Sequence, residues 1–291
     1  MSSVLYDVPG PRARRRAVVG SVVGGLLLLA LVAWAVVRLA SNGVFDAERW
    51  AMFVEEPEIW TFLGTGLLAT LRAAAIAAVL AAVVGLALAV LRLSTNRVVR
   101  GVTAVVIELF RGLPVVLLMF FAVVALGLPI LHGVVCGLTI YNAAIVSEIL
   151  RAGIVSLPRG QREAGAAIGL SEPQILWTIL LPQAVRRMLP ALISQLVVLL
   201  KDTSLGYIIS YAELLRSVDN LQNFYGSRSL IPLFFVGATI YIAVNLSLSR
   251  VAVMLERRGT AKAAGGTARA DTVERLNAPA AGAGGGPPEA R

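Results

Sequence analysis

Charge is scarce in this 291-residue chain: Asp, Glu, Lys and Arg make up 15% of it, against about a quarter in an ordinary soluble domain. There is too little polar surface here to coat a globule of 30.7 kDa. The single cysteine, Cys136, excludes an intrachain disulfide and a Cys-based zinc site, and reads as a small apolar filler. The single histidine, His132, sits in a short link with no Ser/His/Asp, HExxH or paired-carboxylate arrangement at usable spacing, so no catalytic set is present. Only two lysines occur, Lys201 and Lys262, and neither follows a Gly-rich strand-to-helix turn. A P-loop needs a lysine there to reach phosphates, so the chain is not its own ATPase of that type.

What is abundant is apolar surface: 57% of the residues are hydrophobic, which also excludes intrinsic disorder for most of the chain. Six stretches are long enough to cross a bilayer as helices of about 20 residues: Val18–Ala40, Thr61–Val90, Val102–Leu126, Val134–Leu150, Pro190–Ser210 and Ile231–Ser249. They are continuously apolar and lack the alternation of barrel strands. The expected fold is an all-α integral membrane protein with about six transmembrane helices.

The formal net charge of +9 is compatible with nucleic-acid binding until the basic residues are located. They lie in alternate links. Arg12, Arg14, Arg15 and Arg16 precede the first span, and Arg92, Arg97 and Arg100 follow the second. Arg151, Arg159, Arg162, Arg186 and Arg187 follow the fourth, whereas Ser41–Trp60 is acidic through Asp46, Glu48, Glu55, Glu56 and Glu58. By the positive-inside rule both termini are cytoplasmic, and the basic excess is a topology signal with no nucleic acid implied. Ala33-Trp34-Ala35 leaves a cleaved signal peptide open. The apolar run ahead of it, about 20 residues against roughly 7–15 in a signal-peptide core, favours an uncleaved anchor. Residues 1–17 read as a basic cytoplasmic N-terminus, and residues 257–291, rich in Ala, Gly and Pro, as a disordered cytoplasmic tail. The two main external loops are too short to form a solute-capturing domain.

The connection from Arg151 to Leu189 has the composition of folded structure. Pro158 and Gly160 break the incoming helix, Arg159–Ile168 forms a short helix, and Gly169 stops it. Ser171, Pro173 and Gln174 restart it as a capping box with proline in the first turn. Ile175, Leu176, Ile179 and Leu180 fall on one side of a helix of about nine residues, and Pro182 marks a second break. Such a helix either lies on the lipid interface or docks in a partner's groove.

These residues resemble the EAA loop of permease subunits of binding-protein-dependent ABC importers. That loop reads E-A-A, three residues, G, nine residues, I-x-L-P, matched here by Glu163-Ala164-Gly165, Gly169 and Ile179-Leu180-Leu181-Pro182. Gly165 replaces the second alanine, which should loosen the helix locally and leave room for the partner. Phe110-Arg111-Gly112-Leu113-Pro114, Ser147–Ile154, Gly160-Gln161 and Lys201-Asp202-Thr203-Ser204-Leu205 are similar to segments of the polar amino acid branch, histidine, glutamine and glutamate permeases. In layout the chain is most similar to actinobacterial glutamate permeases.

The resemblance implies a type I ABC importer transmembrane domain over residues 61–256, a five-helix core with an extra N-terminal helix at 18–40. The segment 159–182 would couple it to the ATPase through Glu163, Ala164, Gly165, Gly169, Ile179, Leu181 and Pro182. The implied partners are a dimer of ABC ATPases, a second permease of the same or homologous sequence, an extracytoplasmic solute-binding protein and an amino acid. The implied place is a bacterial plasma membrane. No cofactor belongs to this chain, since ATP and Mg2+ would sit on the ATPase. Glu163 is the charged contact, or equally an acid favoured by the helix dipole.

Ionisable groups at bilayer depth cost about 2.5–3.5 kcal/mol each on insertion scales, so they face a cavity or a partner. Arg72, Glu108, Arg111, Glu148, Lys201 and Asp202 are the candidates for a substrate path or gate, while Arg38 can snorkel outward. Glu108 with Arg111, and Glu148 with Arg151, are spaced to pair on one helix. Lys201 and Asp202 are adjacent and point apart, and Thr203, Ser204 and Gly206 stand where that helix can bend. Arg72 faces either a substrate carboxylate or a neighbouring helix or subunit. The leading function is amino acid import driven by ATP hydrolysis on partner subunits. The alternative is an autonomous carrier or channel using the intramembrane charges, for which a capped interior loop has no use; a membrane enzyme is disfavoured by the absent catalytic set.

Overall fold

Pro11 opens the first helix, α1 (Pro11–Ser41), of a computed structural model that describes residues 10–250 together with 253 and 254. Arg12, Arg14, Arg15 and Arg16 therefore lie inside α1, a helix that starts ahead of the apolar stretch expected from residue 18; proline's missing N–H costs nothing at a helix start. The tail at 257–291 lies outside the described residues.

Two compact units form, one from the chain up to Phe62 with Val218–Val236, the other from Leu63–Ser217 with the chain from Gly237 onward. In the first, α1 is apolar beyond its N-terminal arginines as far as Arg38 and has no buried residue. The segment expected as a plain acidic loop carries α2 (Ala47–Glu55). Trp50 Nε1 donates to the Val44 carbonyl and Trp60 Nε1 to that of Phe53, each at 2.8 Å, with Phe53 packed between the two indoles.

The remaining spans are α3 (Glu58–Arg92), the pair α4 (Arg97–Gly112) and α5 (Val115–Val124), α6 (Ile130–Val155), a continuous helix Glu172–Ile209, and α11 (Ser227–Arg250), which begins with a 3-10 turn. The helix α10 (Leu214–Tyr225) occupies the other segment expected as a loop. Among the described residues five helices are long and apolar enough to cross a membrane, and α4 and α5 pass that test only when taken together, as a sixth. The third span is thus not the straight helix Val102–Leu126: α4 and α5 meet at 96°. Pro114 is the cause, because its ring drives the preceding residue out of the helical region, and Leu113 sits at φ −85°, ψ 140°. The fourth span is also longer than Val134–Leu150, beginning directly after Pro129.

The core of the second unit joins Ala73 and Ala77 of α3, Val115 and Met119 of α5, Val134 and Leu138 of α6, and Leu199 and Leu200 further along the chain. Lipid tails are as apolar as these side chains, so helix association here rests on close packing rather than on water exclusion. Gly137 shows it: a Cβ there would stand 2.6 Å from Met119 Cγ, so only glycine lets α5 approach α6 this closely.

Candidate functional site

The connection between α6 and the fifth span folds as the sequence predicts at its start. Pro158 precedes α7 (Arg159–Ala167), and the helix closes in a Schellman arrangement. The Gly169 N–H donates to the Ala166 carbonyl at 3.0 Å and the Leu170 N–H to that of Gly165 at 3.1 Å, with Gly169 in the left-handed region at φ 82°. The chain then restarts as α8 (Glu172–Gln174) through a capping box, in which Gln174 Oε1 accepts from the Ser171 N–H and hydroxyl, each at 2.8 Å.

Beyond that point two expectations change. No second break occurs at Pro182: α8 passes through a π-helical stretch, Ile175–Leu180, into α9 (Leu181–Asp202). The wide π turn just ahead of Pro182 removes the demand for the N–H that proline lacks, so the helix runs on. The space beside Gly165 is also not left for a partner. Its missing Cβ would stand 2.9 Å from Ile175 Cγ1 and 3.0 Å from Ile179 Cδ1, so α7 lies directly on the π stretch of its own chain.

Among the motif residues, Glu163, Ala164, Gly169 and Pro182 are exposed, Ile179 is half-buried, and Gly165 and Leu181 are buried. Leu181 packs with Ile154 and Ala184 and so holds the loop to α6. Glu163 is the fifth residue of α7, past the first turn where the helix dipole favours an acid, which leaves its exposed charge available for an external contact. At the C-terminal end of α7, Ile168 is 76% exposed. The loop is fixed from within: Arg162 grips Glu172 with two nitrogens on two oxygens (Nε to Oε1 3.1 Å), Gln183 donates to Gln161 at 3.2 Å, and Arg187 to the Ser156 carbonyl at 3.0 Å. The result is an ordered, charged and apolar edge between two membrane-length helices.

The charged residues divide. Arg111 Nη2 lies 2.9 and 3.0 Å from the two oxygens of Glu108, the local pair that the spacing predicts. Glu148 pairs with Arg151 at 2.8 Å and also meets Arg92 of α3 at 3.8 Å, a partner that sequence spacing on one helix does not reveal. Lys201 is exposed and Asp202 half-buried, and neither forms an ion pair among the described residues. Next to them α9 tightens into a 3-10 segment, Thr203–Ile209. The carbonyls released there are taken by hydroxyls: Leu200 by Thr203 at 2.6 Å, Lys201 by Ser204 at 2.8 Å, and both by Tyr241 at 3.1 and 3.0 Å.

Two features escape sequence reasoning. Gln195 donates to Asn142 at 2.8 Å, joining α9 to α6 in the interior. Glu213 is fully buried and caps α10, its oxygens accepting from the N–H groups of Leu215 and Arg216 at 2.9 and 2.8 Å. Burial pushes its carboxyl up from the ordinary glutamate value, against the pull of those two donors. An acid just ahead of a helical pattern was the available signal.

Residues 81–260 match the family described as binding-protein-dependent transport system inner membrane component. The chain is 44% identical over 228 residues to the glutamate transport system permease protein GluD of Corynebacterium glutamicum, covering 76% of this chain and 83% of that protein. It is 41% identical over 206 residues to the probable glutamine ABC transporter permease protein GlnP of Bacillus subtilis, covering 68% and 94%. A solved amino acid ABC transporter with histidines superposes with a TM-score of 0.63 at 28% identity, over 71% of this chain and 98% of that one. The inward-facing MetNI methionine ABC transporter does so at 0.60 with 19% identity, over 70% and 98%, a likeness of fold alone.

Proposed function

Because the chain belongs to the family of binding-protein-dependent transport system inner membrane components, we propose that it forms the translocation path of a polar amino acid importer and is driven through its Arg159–Pro182 loop. It is a multi-pass membrane permease with the type I importer fold. Glutamate, or a polar amino acid like it, is the substrate class favoured by the relatives. The orientation follows the arginine-rich links, with both termini in the cytoplasm of a bacterial cell and the loop facing a pair of ATPase subunits, where ATP and Mg2+ bind. A second permease completes the path, and an external solute-binding protein supplies the amino acid.

One observation carries this reading. The loop is a rigid platform, clamped by Arg162–Glu172 and by the Gly165 contact, with Glu163 and Ile168 exposed on it. Closure of the ATPase pair on ATP would move that platform. The continuous helix Glu172–Ile209 would carry the movement to the 3-10 segment beyond Asp202, where Lys201, Asp202, Thr203 and Ser204 stand at the gate. Hydrolysis would return the path to its inward-facing state, so ATP biases one two-state equilibrium. An autonomous carrier gains no support, since Glu148 is already neutralised by Arg92 and Arg151.

The test is uptake by vesicles containing this permease with and without its ATPase and binding protein. Transport should require ATP, and Glu163→Arg with Gly169→Leu should abolish it while the complex still reaches the membrane. Uptake without the ATPase, or undiminished in the double variant, would refute the reading.

A further inference from the structure

A cavity of about 450 Å3 opens beside α3, α6 and the turn after the 3-10 segment, lined by Thr65, Arg72, Ile130, Leu131, Ser210 and Tyr211, among others. Its place along the fold is fixed by α6. Ile130 is the first residue of that helix and Val155 the last, with the coupling loop following. The cavity is therefore at the end of α6 opposite the loop.

The walls are built. Tyr211 is buried, with relative exposure 8%, and its hydroxyl donates to the Ala69 carbonyl at 2.8 Å. Thr70 Oγ1 accepts the Leu214 N–H at 3.1 Å and donates to the Gly66 carbonyl at 3.0 Å. Ser210 turns the chain through the left-handed region at φ 63°, the single such non-glycine residue among those described. A residue without glycine's freedom holds that conformation only where its surroundings fix it, and here the turn delivers Tyr211 against α3.

Into this setting α3 projects Arg72. Its side chain is exposed and has no carboxylate within ion-pair distance among the described residues. Its charge is felt by Tyr211, whose phenol burial raises, Arg72 lowers and Glu213 raises. A guanidinium on an apolar helix is costly against lipid, and the cavity relieves that cost by opening beside it. The volume lies in the range of small-molecule sites, and mostly apolar walls with one fixed charge are their usual composition. Apolar walls strengthen the field of that charge, and a guanidinium fork matches a carboxylate with two parallel hydrogen bonds.

We infer that this cavity is a carboxylate-recognition site at the outer mouth of the path, where Arg72 receives the amino acid before it passes inward. The inference rests on the importer reading above and adds the residue and the chemical group recognised. Two carboxylates can supply that chemistry, the α-carboxylate common to amino acids and the side-chain carboxylate of an acidic one. A charge-assisted hydrogen bond is worth about 1.5–3 kcal/mol, roughly a 10- to 150-fold effect.

The experiment uses the complete importer in vesicles, with glutamate or glutamine on the binding protein, and measures amino acid taken up per ATP hydrolysed. Arg72→Gln is expected to lower that ratio about tenfold or more, and Arg72→Lys to lower it less, because lysine keeps the charge and loses the fork. An equal fall for glutamate and glutamine assigns the α-carboxylate; a fall confined to glutamate assigns the side-chain carboxylate. An unchanged ratio in Arg72→Gln for both amino acids overturns the inference, including the case in which uptake and hydrolysis drop together through loss of structure. A wild-type complex that takes up neither in an ATP-dependent way overturns the importer reading and this inference with it.

Discussion

Replacing Gly165 tests the coupling loop at its tightest point. An alanine there would place its methyl 2.9 Å from Ile175 Cγ1 and 3.0 Å from Ile179 Cδ1, against an ordinary carbon separation of about 3.5–4.0 Å. Part of the opposition is the far end of Ile179, which is half-buried and can yield. Gly→Ala inside a helix also gains about 0.8–1.0 kcal/mol of propensity. Gly165→Ala should therefore transport within about threefold of wild type, since the gain in propensity offsets a strain at the low end of about 1–3 kcal/mol.

Leucine is different. It adds three further carbons to a contact that is already closed, with almost no further gain in propensity, and overpacking of this kind costs about 1–3 kcal/mol. If α7 lifts from the π stretch to relieve it, the edge carrying Glu163 and Ile168 leaves its place. An equilibrium moved by about 1–3 kcal/mol changes about 5- to 150-fold. ATP-driven uptake in vesicles should fall by that factor in Gly165→Leu, with the amount of permease in the membrane held equal. Binding-protein-stimulated ATP hydrolysis should fall with it, because the loop is the site of coupling. If Gly165→Leu transports as well as Gly165→Ala, the seating of α7 on Ile175 and Ile179 has no part in coupling.

The clamp Arg162–Glu172 is exposed on both sides, so breaking it should cost no more than about 1 kcal/mol; Arg162→Glu should lower uptake up to about fivefold, and adding Glu172→Arg should restore it. Gln195→Leu leaves Asn142 Oδ1 buried without its donor, at a cost of about 1–3 kcal/mol that should appear as a lower melting temperature in detergent. Glu213 gives a pH dependence. Its folded-state carboxyl titrates above the ordinary glutamate value because it is buried, so the unfolded chain loses that proton first, and wild-type stability falls as pH rises through the interval up to the raised folded value. Glu213→Gln keeps an acceptor for the α10 amides and has no such loss, so its melting temperature should gain on wild type across that interval and hold the gain above it. A difference independent of pH would show that the carboxyl is not charged by burial-opposed ionisation.

Much of the fold was legible because a membrane chain carries its span lengths and loop charges openly in composition. Five of the six apolar stretches, the capped restart at Ser171 and the stop at Gly169 follow from rules local to a few residues, and the structure forms a helix, a capping box and a left-handed glycine there. Direction was not legible. Val102–Leu126 is apolar apart from the pair Glu108 and Arg111, and hydropathy does not register that Pro114 turns it by 96°. The elements α2 and α10 were missed because their segments are short and polar, with apolar faces too narrow to stand out from loops. Partners across the fold were out of reach for the same reason: Arg92 meets Glu148, and Gln195 meets Asn142, only once α3, α6 and α9 are assembled. Spacing on one helix finds the pairs Glu108–Arg111 and Glu148–Arg151 and nothing beyond them.

The misread proline bears on how such a loop can work. Had Pro182 broken the chain, a displacement at α7 would be spent at a flexible joint before reaching the membrane. Instead Glu172–Ile209 is one helix of 38 residues, roughly 57 Å long at 1.5 Å per residue. One end carries the capping box that Arg162 clamps, and the other runs into Ser210 and Tyr211 at the cavity holding Arg72. The irregular stretches along it are not gaps: the π turn keeps the helix continuous past Pro182, and the 3-10 turn has its freed carbonyls taken by Thr203, Ser204 and Tyr241. In the importer reading, the loop and the outer site are then two ends of a single moving part, and their substitutions should be coupled. Combining Gly165→Leu with Arg72→Gln should depart from the product of the two separate effects on uptake; strict multiplicativity would mean that the two ends act independently.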